Sequence, residues 1–224
     1  MTSKNSGKRP PVPLDQYFTP PWIIEQAMEL VLPVVLHDRL MRPDFPVRIL
    51  EPSAGQGAFI PPLKKIWPAG GIWANDVDAT LGDWAHLGKD PVPVYSHLSL
   101  AELAEKTPRG FFDLAIGNPP YSEAQEHCSI CWVLARYSIM LVRQGFMSSA
   151  TRASWFRKKP PSHIFILANR PRFDVPAAYL EEFPEDEYGK WGTDSADYCW
   201  MCWSRDWEGP TQLVWLPPVP KDKR

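Results

Sequence analysis

Apolar residues recur at helical spacing from Trp22 to Leu36, directly after Thr19-Pro20-Pro21. Proline suits the first turn of a helix, so the pattern predicts a helix over 22–36. Three short apolar runs follow. Arg48-Ile49-Leu50 leads into Glu51-Pro52-Ser53-Ala54-Gly55-Gln56-Gly57, Ile72-Trp73-Ala74 into Asn75-Asp76, and Phe111 to Ile116 into Gly117 and Asn118-Pro119-Pro120-Tyr121. Each reads as a buried strand with a polar segment at its carboxyl end. Farther on, helical periodicity covers 124–137, a strand is predicted over 139–146, and 149–159 reads as a basic turn or short helix. Segments 163–168, 198–203 and 212–216 are further strand candidates. Strands alternating with helices imply an α/β domain with a mostly parallel sheet covered on both faces, and the strand-rich carboxyl end implies an antiparallel edge. There is no internal repeat.

Composition narrows the class. The 224 residues suffice for one well-buried domain. The stretch MTSKNSGKRPPVPLDQ carries basic residues with no apolar segment behind them, so it reads as a solvated tail and not a secretory signal. The expected division is a flexible tail over 1–13 and a single domain over 14–224. Hydrophobic residues make up 44% and charged residues 22%, ordinary for a globular protein. No apolar run approaches the roughly 20 residues that span a bilayer. The four cysteines are expected to be reduced thiols of a cytoplasmic protein. Net charge is −2, yet charge is segregated: 136–172 holds eight Lys/Arg and no acid, and 174–187 holds six acids and no Lys or Arg. The 26 prolines fall in pairs or near-pairs, as rigid connections between short elements would.

In open α/β sheets ligands bind beyond the carboxyl ends of strands. Gly55 and Gly57 allow a tight turn and close backbone approach to a ligand. Asp76, about 20 residues on, is placed to accept hydrogen bonds from ribose hydroxyls. A G-x-G alone is equally compatible with an ordinary strand-to-helix turn, and the absence of the full G-x-G-x-x-G argues against a dinucleotide. Asn118-Pro119-Pro120-Tyr121 is more specific. Consecutive prolines fix φ and supply no N–H, so the Asn118 side-chain oxygen and the Pro119 carbonyl can converge on one amine. Two acceptors on a conjugated exocyclic amine favour a pyramidal nitrogen with an available lone pair. Tyr121 offers an aromatic face to an extruded base, with stacking of about 1–3 kcal/mol against the few kcal/mol of flipping. The bland reading of the tetrapeptide is a proline-stiffened turn.

Two features point elsewhere. Cys128-x-x-Cys131 and Cys199-x-x-Cys202 suggest a four-cysteine zinc site. However, the first pair lies in a predicted helix and the second in a predicted strand, where residues three apart face opposite sides. No metal site is expected. His37, His86, His97, His127 and His163 form no ligand-spaced cluster, and no G-x-S-x-G surrounds Ser195, which disfavours a hydrolase.

The motifs from Tyr17 to Trp203 resemble those of small adenine-specific DNA methyltransferases found in phages and prophages, with the cofactor loop before NPPY as in the γ arrangement. The resemblance implies a Rossmann-like fold with a mostly parallel seven-stranded sheet, and S-adenosyl-L-methionine as cofactor. Tyr17, Phe18, Thr19 and Pro20 would close over the methionine part. Glu51, Ser53, Ala54, Gly55 and Gly57 would form the cofactor loop, and Asp76 with the adjoining Val77 would hold the ribose. Asn118, Pro119, Pro120 and Tyr121 would be catalytic. Ser99 stands where many relatives carry an acid toward the cofactor adenine, and a hydroxyl bonds more weakly there. Glu51 could equally cap the following turn. Phe173, in a segment that with GTDSADYCWMCW resembles the family's carboxyl half, is a candidate second base-stacking face or a packing residue.

The expected substrate is DNA, with Arg152, Arg157, Lys158 and Lys159 near the NPPY edge of the sheet as candidate phosphate contacts, or else a solvated basic face. After the fold's elements only a few tens of residues remain, so no separate target-recognition domain is expected. Recognition would be relaxed or short, read by loops 147–162 and 174–195. NPPY also serves enzymes that modify RNA or protein glutamine, and a non-catalytic nucleic-acid-binding domain is the alternative from another class. Localisation follows as cytoplasmic, in a bacterial host if phage encoded.

Overall fold

The computed structural model describes residues 9–37, 40–81, 94–188 and 190–224. Eight strands form one sheet: β1 Arg48–Glu51, β2 Gly71–Asn75, β3 Val94–Ser96, β4 Phe112–Gly117, β5 Ala135–Arg143, β6 His163–Ile166, β7 Tyr198–Ser204 and β8 Gln212–Trp215. Their order is β3-β2-β1-β4-β5-β7-β6-β8. The first seven are the expected mostly parallel seven-stranded sheet. β8 adds an eighth strand, paired parallel to β6. The antiparallel component falls in the carboxyl-terminal part as expected: β7 runs against both β5 and β6.

The helices are α1 Pro21–Gln26, α2 Leu32–Val35, α3 Ile60–Ile66, α4 Leu100–Lys106, α5 Ala124–Leu134, α6 Ala150–Lys158, α7 Ala177–Glu182 and α8 Glu185–Tyr188. The helix predicted over 22–36 is α1 and α2 joined by a wider π turn over Ala27–Val31. Pro33 has no N–H for the carbonyl four residues back, and the turn before it widens accordingly. The helix expected over 124–137 ends at Leu134, because Ala135 to Val142 is almost entirely buried and continues as β5. The basic segment 149–159 is helical as α6. β3 lay outside the sequence expectation.

Alternation along β5 and β7 divides the core. Tyr137, Ile139, Leu141, Tyr198, Trp200 and Cys202 enter the cluster under α1 to α3, whereas Met140, Val142, Cys199, Met201 and Trp203 enter the one under α5. Cys199 and Cys202 therefore face opposite sides of the sheet. Burial pushes the Cys131 and Cys199 thiols up to about 12, the chemistry of small apolar core residues. No helix among the described residues is long and apolar enough to cross a membrane.

The tail expected over 1–13 requires correction from residue 9 onward; residues 1–8 lie outside the described part. Val12 is buried against Val175 and Tyr179, and the Tyr179 hydroxyl donates to the Pro10 carbonyl. An apolar side chain between prolines gave no periodicity, so the docking was invisible locally.

Leu141 is fully buried in the middle of β5. Leu141→Ala should cost about 3 kcal/mol in urea unfolding, and a loss under about 1 kcal/mol would contradict its burial.

Candidate active site

The strand order reverses between β1 and β4, which makes a crevice at their carboxyl ends. The loop after β1 turns through Gly55 and Gly57 at φ of 54° and 77°, a region that favours glycine. A Cβ on Gly55 would also come within 3.3 Å of the Phe18 ring. Asp76 holds this loop: one carboxylate oxygen accepts the Gly55 N–H at 2.7 Å and the other the Asp78 N–H at 3.0 Å. Burial raises the Asp76 pKa, and these backbone donors oppose the shift. Asn75 beside it is a buried staple. Its amide nitrogen donates to the Pro52 and Leu98 carbonyls, and its oxygen accepts from the Ser96 hydroxyl and the Leu98 N–H. The loop after β1 and the turn after β3 are thereby fixed to the end of β2 by one side chain.

Two adjoining cavities open here. One, of about 250 Å³, is lined by Tyr17, Phe18, Ser53, Gly55, Asp76, Val77, Ser99, Asn118 and Pro120 among others. The second, of about 220 Å³, is lined by Tyr17, Phe18, Thr19, Glu51, Ser53, Ala54, Gly55 and Asn118. Gly57 and Pro20 line neither: the Gly57 N–H closes the loop onto the Ala54 carbonyl, and Pro20 precedes α1. Ser99 caps α4, its hydroxyl donating to Glu102 at 2.8 Å. Glu51 is buried, with one carboxylate oxygen lacking a partner among the described residues. Burial, and then the Asp76 charge, raise its pKa well above the usual carboxylate range.

Asn118 lies at the end of β4. Its amide nitrogen donates to the Tyr17 carbonyl at 2.9 Å, while its buried oxygen has no hydrogen-bond donor among the described residues. Only nitrogen can face a carbonyl, so the orientation of the amide is chemically determined. Tyr17 belongs to a strap that crosses the crevice and pairs with the segment before α7 through Phe18 and Asp174. That pairing places Phe173, itself buried, beside the site. Tyr121 is enclosed by Tyr17, Phe173 and Tyr198, with centroid separations of 5.7, 6.2 and 5.6 Å. The Arg143 guanidinium lies over its ring at 4.5 Å.

The basic residues are not gathered at this crevice. α6 descends from the carboxyl end of β5 toward the start of β6, so Arg157, Lys158 and Lys159 come at the opposite end of the sheet. Lys159 sits over Trp132, near the carboxyl end of α5. Arg152, nearer the top of α6, packs on Phe146 and donates to its carbonyl. The expectation that all four sit beside NPPY is corrected for Arg157, Lys158 and Lys159: a run of like charge in sequence is spread along a whole helix length.

Three residues of the site, Arg143, Asn75 and His127, were given no role in the sequence. Arg143, the last residue of β5, donates to the Tyr198 hydroxyl at 3.0 Å and to Asp194 at 3.2 Å. Its place at a strand's carboxyl end was the available signal. Asn75 stood beside the chosen acid. His127 and Ser53 meet at 2.7 Å between α5 and the β1 loop, a contact only the fold creates.

The sequence matches no family model, and no curated protein sequence is similar to it. Solved structures share its fold. The type I restriction-modification system methyltransferase subunit from Streptococcus thermophilus superposes with a TM-score of 0.68 at 9% identity, over 93% of this chain and 51% of that one. This chain thus spans about half the length of that subunit. A Listeria monocytogenes protein assigned as a class I S-adenosylmethionine-dependent methyltransferase gives 0.60 at 14% identity, over 92% and 67%. A Pyrococcus horikoshii protein assigned as an RNA methyltransferase gives 0.61 at 14%, over 85% and 87%. The architecture is the Rossmann-like methyltransferase fold.

Burial lowers the His127 pKa to about 4. A depressed histidine contributes stability that is complete above the unfolded value near 6.5 and is lost as pH falls toward 4, about 3 kcal/mol in all. Urea unfolding at pH 7 and pH 4.5 should show a smaller drop for His127→Gln than for the wild type; equal drops would contradict a buried neutral imidazole.

Proposed function

We propose that this chain transfers a methyl group from S-adenosylmethionine to the 6-amino group of adenine in DNA, on a base turned out of its strand and with short or relaxed sequence preference. The observation that carries this reading is the orphaned, buried Asn118 oxygen. A buried acceptor without a donor among the described residues is costly, and Asn118 lines both cavities while its amide nitrogen is committed to Tyr17.

The residues present fit the cofactor. Asp76 receives one backbone N–H at each oxygen and retains lone pairs for ribose hydroxyls. The unpartnered Glu51 oxygen suits the ammonium of the methionine part. Leu98 and Val77 offer apolar contact to the adenine ring, which lessens the need for a charged group at Ser99. When bound, the cofactor supplies an electrophilic methyl carbon on a cationic sulfur.

Asn118 then accepts one amine hydrogen, and the Pro119 carbonyl is assigned the other. Both interactions strengthen as the nitrogen becomes pyramidal and gains positive charge, which favours the transition state over the ground state. No side chain needs to take a proton beforehand. His127 is unsuited to that task, since it is buried, neutral and engaged with Ser53. Tyr121 stacks on the base once Tyr17 or Arg143 moves aside, so substrate binding includes a local rearrangement. Phe173 packs edge-on to both tyrosines and is assigned the support of that face. Segment 174–195, next to the site, is assigned the readout of neighbouring bases. The likeness to a restriction-modification subunit supports DNA as the substrate class.

Purified protein offered S-adenosylmethionine with a labelled methyl group should label DNA in preference to RNA or protein; label confined to RNA or protein would refute the substrate. The raised Glu51 pKa adds a second expectation. A bound ammonium favours the carboxylate, so binding lowers the raised Glu51 pKa, and affinity weakens as pH falls through the range in which Glu51 takes up its proton. Calorimetry in two buffers of different ionisation enthalpy should register proton release that disappears in Glu51→Gln; release that persists in the variant would reassign it.

A further inference from the structure

Two further cavities, of about 580 and 530 Å³, adjoin one another, and the first shares Asp15 and Tyr17 with the adenosyl cavity. Both include Arg9, Tyr17, Arg143 and Trp191, and Tyr121 lines the first and Lys190 the second. Each lies within the range of roughly 300–1,000 Å³ typical of ligand sites. We infer that this cleft binds the sugar–phosphate backbone of a single polynucleotide strand, and that Arg143 guards the Tyr121 ring until it pairs with a phosphate of that strand. The inference rests on the methyl-transfer reading only in taking Tyr121 as the base platform.

The charges favour an anionic occupant. Three cations, Arg9, Arg143 and Lys190, share the cleft with two acids, an excess of one positive charge; Arg143 pairs with Asp194, and Arg9 donates to the Phe183 carbonyl. Asp15 accepts the Ser122 N–H at 2.9 Å. Asp194 accepts from the Tyr198 hydroxyl at 2.6 Å and from Arg143 at 3.2 Å. Arg143 spends only Nε and one terminal nitrogen on these partners; its other terminal nitrogen has none among the described residues, and the side chain is 42% exposed. A guanidinium is a fork suited to phosphate oxygens.

The aromatic groups favour a nucleotide over a simple anion. The Trp191 indole donates to the Phe173 carbonyl at 2.7 Å, which fixes its ring at the cleft wall. Such an alternation of cations and aromatic faces is how proteins follow single strands, because every base has a stackable face and every linkage a charge. Arg143 has a second role in this arrangement. Its planar cation, 4.5 Å from the Tyr121 centroid, occupies space a stacked base would take. A phosphate that draws the guanidinium outward would clear the platform as the strand docks, which couples backbone binding to base entry.

The test uses full-length protein and fluorescein-labelled single-stranded 12-mers of DNA and of RNA, titrated by anisotropy across a salt series. S-adenosylhomocysteine binding is measured in parallel by calorimetry. Arg143→Gln and Lys190→Gln should each weaken oligonucleotide binding about threefold to tenfold and lower the slope of log affinity against log salt by about 0.7, the value for one single-strand phosphate contact. S-adenosylhomocysteine affinity should stay within about twofold, since neither Arg143 nor Lys190 lines the adenosyl cavity. Lys190 is exposed, so its variant reports on the cleft even if Arg143→Gln weakens the fold. Wild-type binding that both variants leave unchanged in affinity and slope overturns the cleft, as does failure of the wild type to bind either strand. Failure to bind S-adenosylhomocysteine, with the oligonucleotide pattern intact, overturns methyl transfer and leaves the cleft standing.

Discussion

The site depends on one hydrogen bond, from the Asn118 amide nitrogen to the Tyr17 carbonyl. It joins the end of β4 to a strap a hundred residues earlier, and it leaves the amide oxygen buried without a donor among the described residues. A free asparagine in solution would present either end of its amide to a ligand. Here the carbonyl partner forbids the flip, so at the end of β4 the crevice wall holds an acceptor of fixed orientation. Isolated polar groups in such places are expensive, and their persistence is best explained by a ligand that supplies the missing donor. A planar amino group, presented edge-on, is such a ligand.

Everything around that bond serves to keep it in place. Reversal of strand order between β1 and β4 opens the crevice, and Asn75 and Asp76 fasten the loops that border it. Asn75 is fully satisfied, which makes it rigid; Glu51 and Asn118 are incompletely satisfied, which makes them receptive. The contrast separates scaffold from site within a few residues of the same strand ends. The aromatic cluster of Tyr17, Tyr121, Phe173 and Tyr198 is closed in the free protein, so the platform proposed for a base exists in composition before it exists as open space. Pairing of Phe18 with Asp174 ties that cluster to the carboxyl-terminal half, and motion of the strap is thereby linked to the face where a strand would lie.

Much of this was legible in the sequence where the signal is local. EPSAGQG, Asp76 and NPPY each follow a short apolar run, and strand ends are where such sheets bind ligands, so their convergence could be anticipated without coordinates. What escaped was set by topology. Arg143 ends β5 and reaches Tyr121 only because β5 lies beside β4. His127 meets Ser53 only because α5 crosses the β1 loop. The acid-free stretch from 136 to 172 looked like one surface, but a strand, a helix and another strand carry its charges to both ends of the sheet. Val12 shows the same limit at the amino end: a single apolar residue among prolines has no period to read, although it is almost fully buried.

The central claim is that Asn118 orients an adenine amine. The most direct measurement digests DNA treated with wild-type protein or with Asn118→Ala to nucleosides and identifies the methylated base by mass spectrometry, with S-adenosylhomocysteine binding measured on both proteins. The account predicts N6-methyladenine from the wild type alone and equal S-adenosylhomocysteine binding by both. N6-methyladenine that persists in Asn118→Ala, or a methyl group on another base, would contradict it.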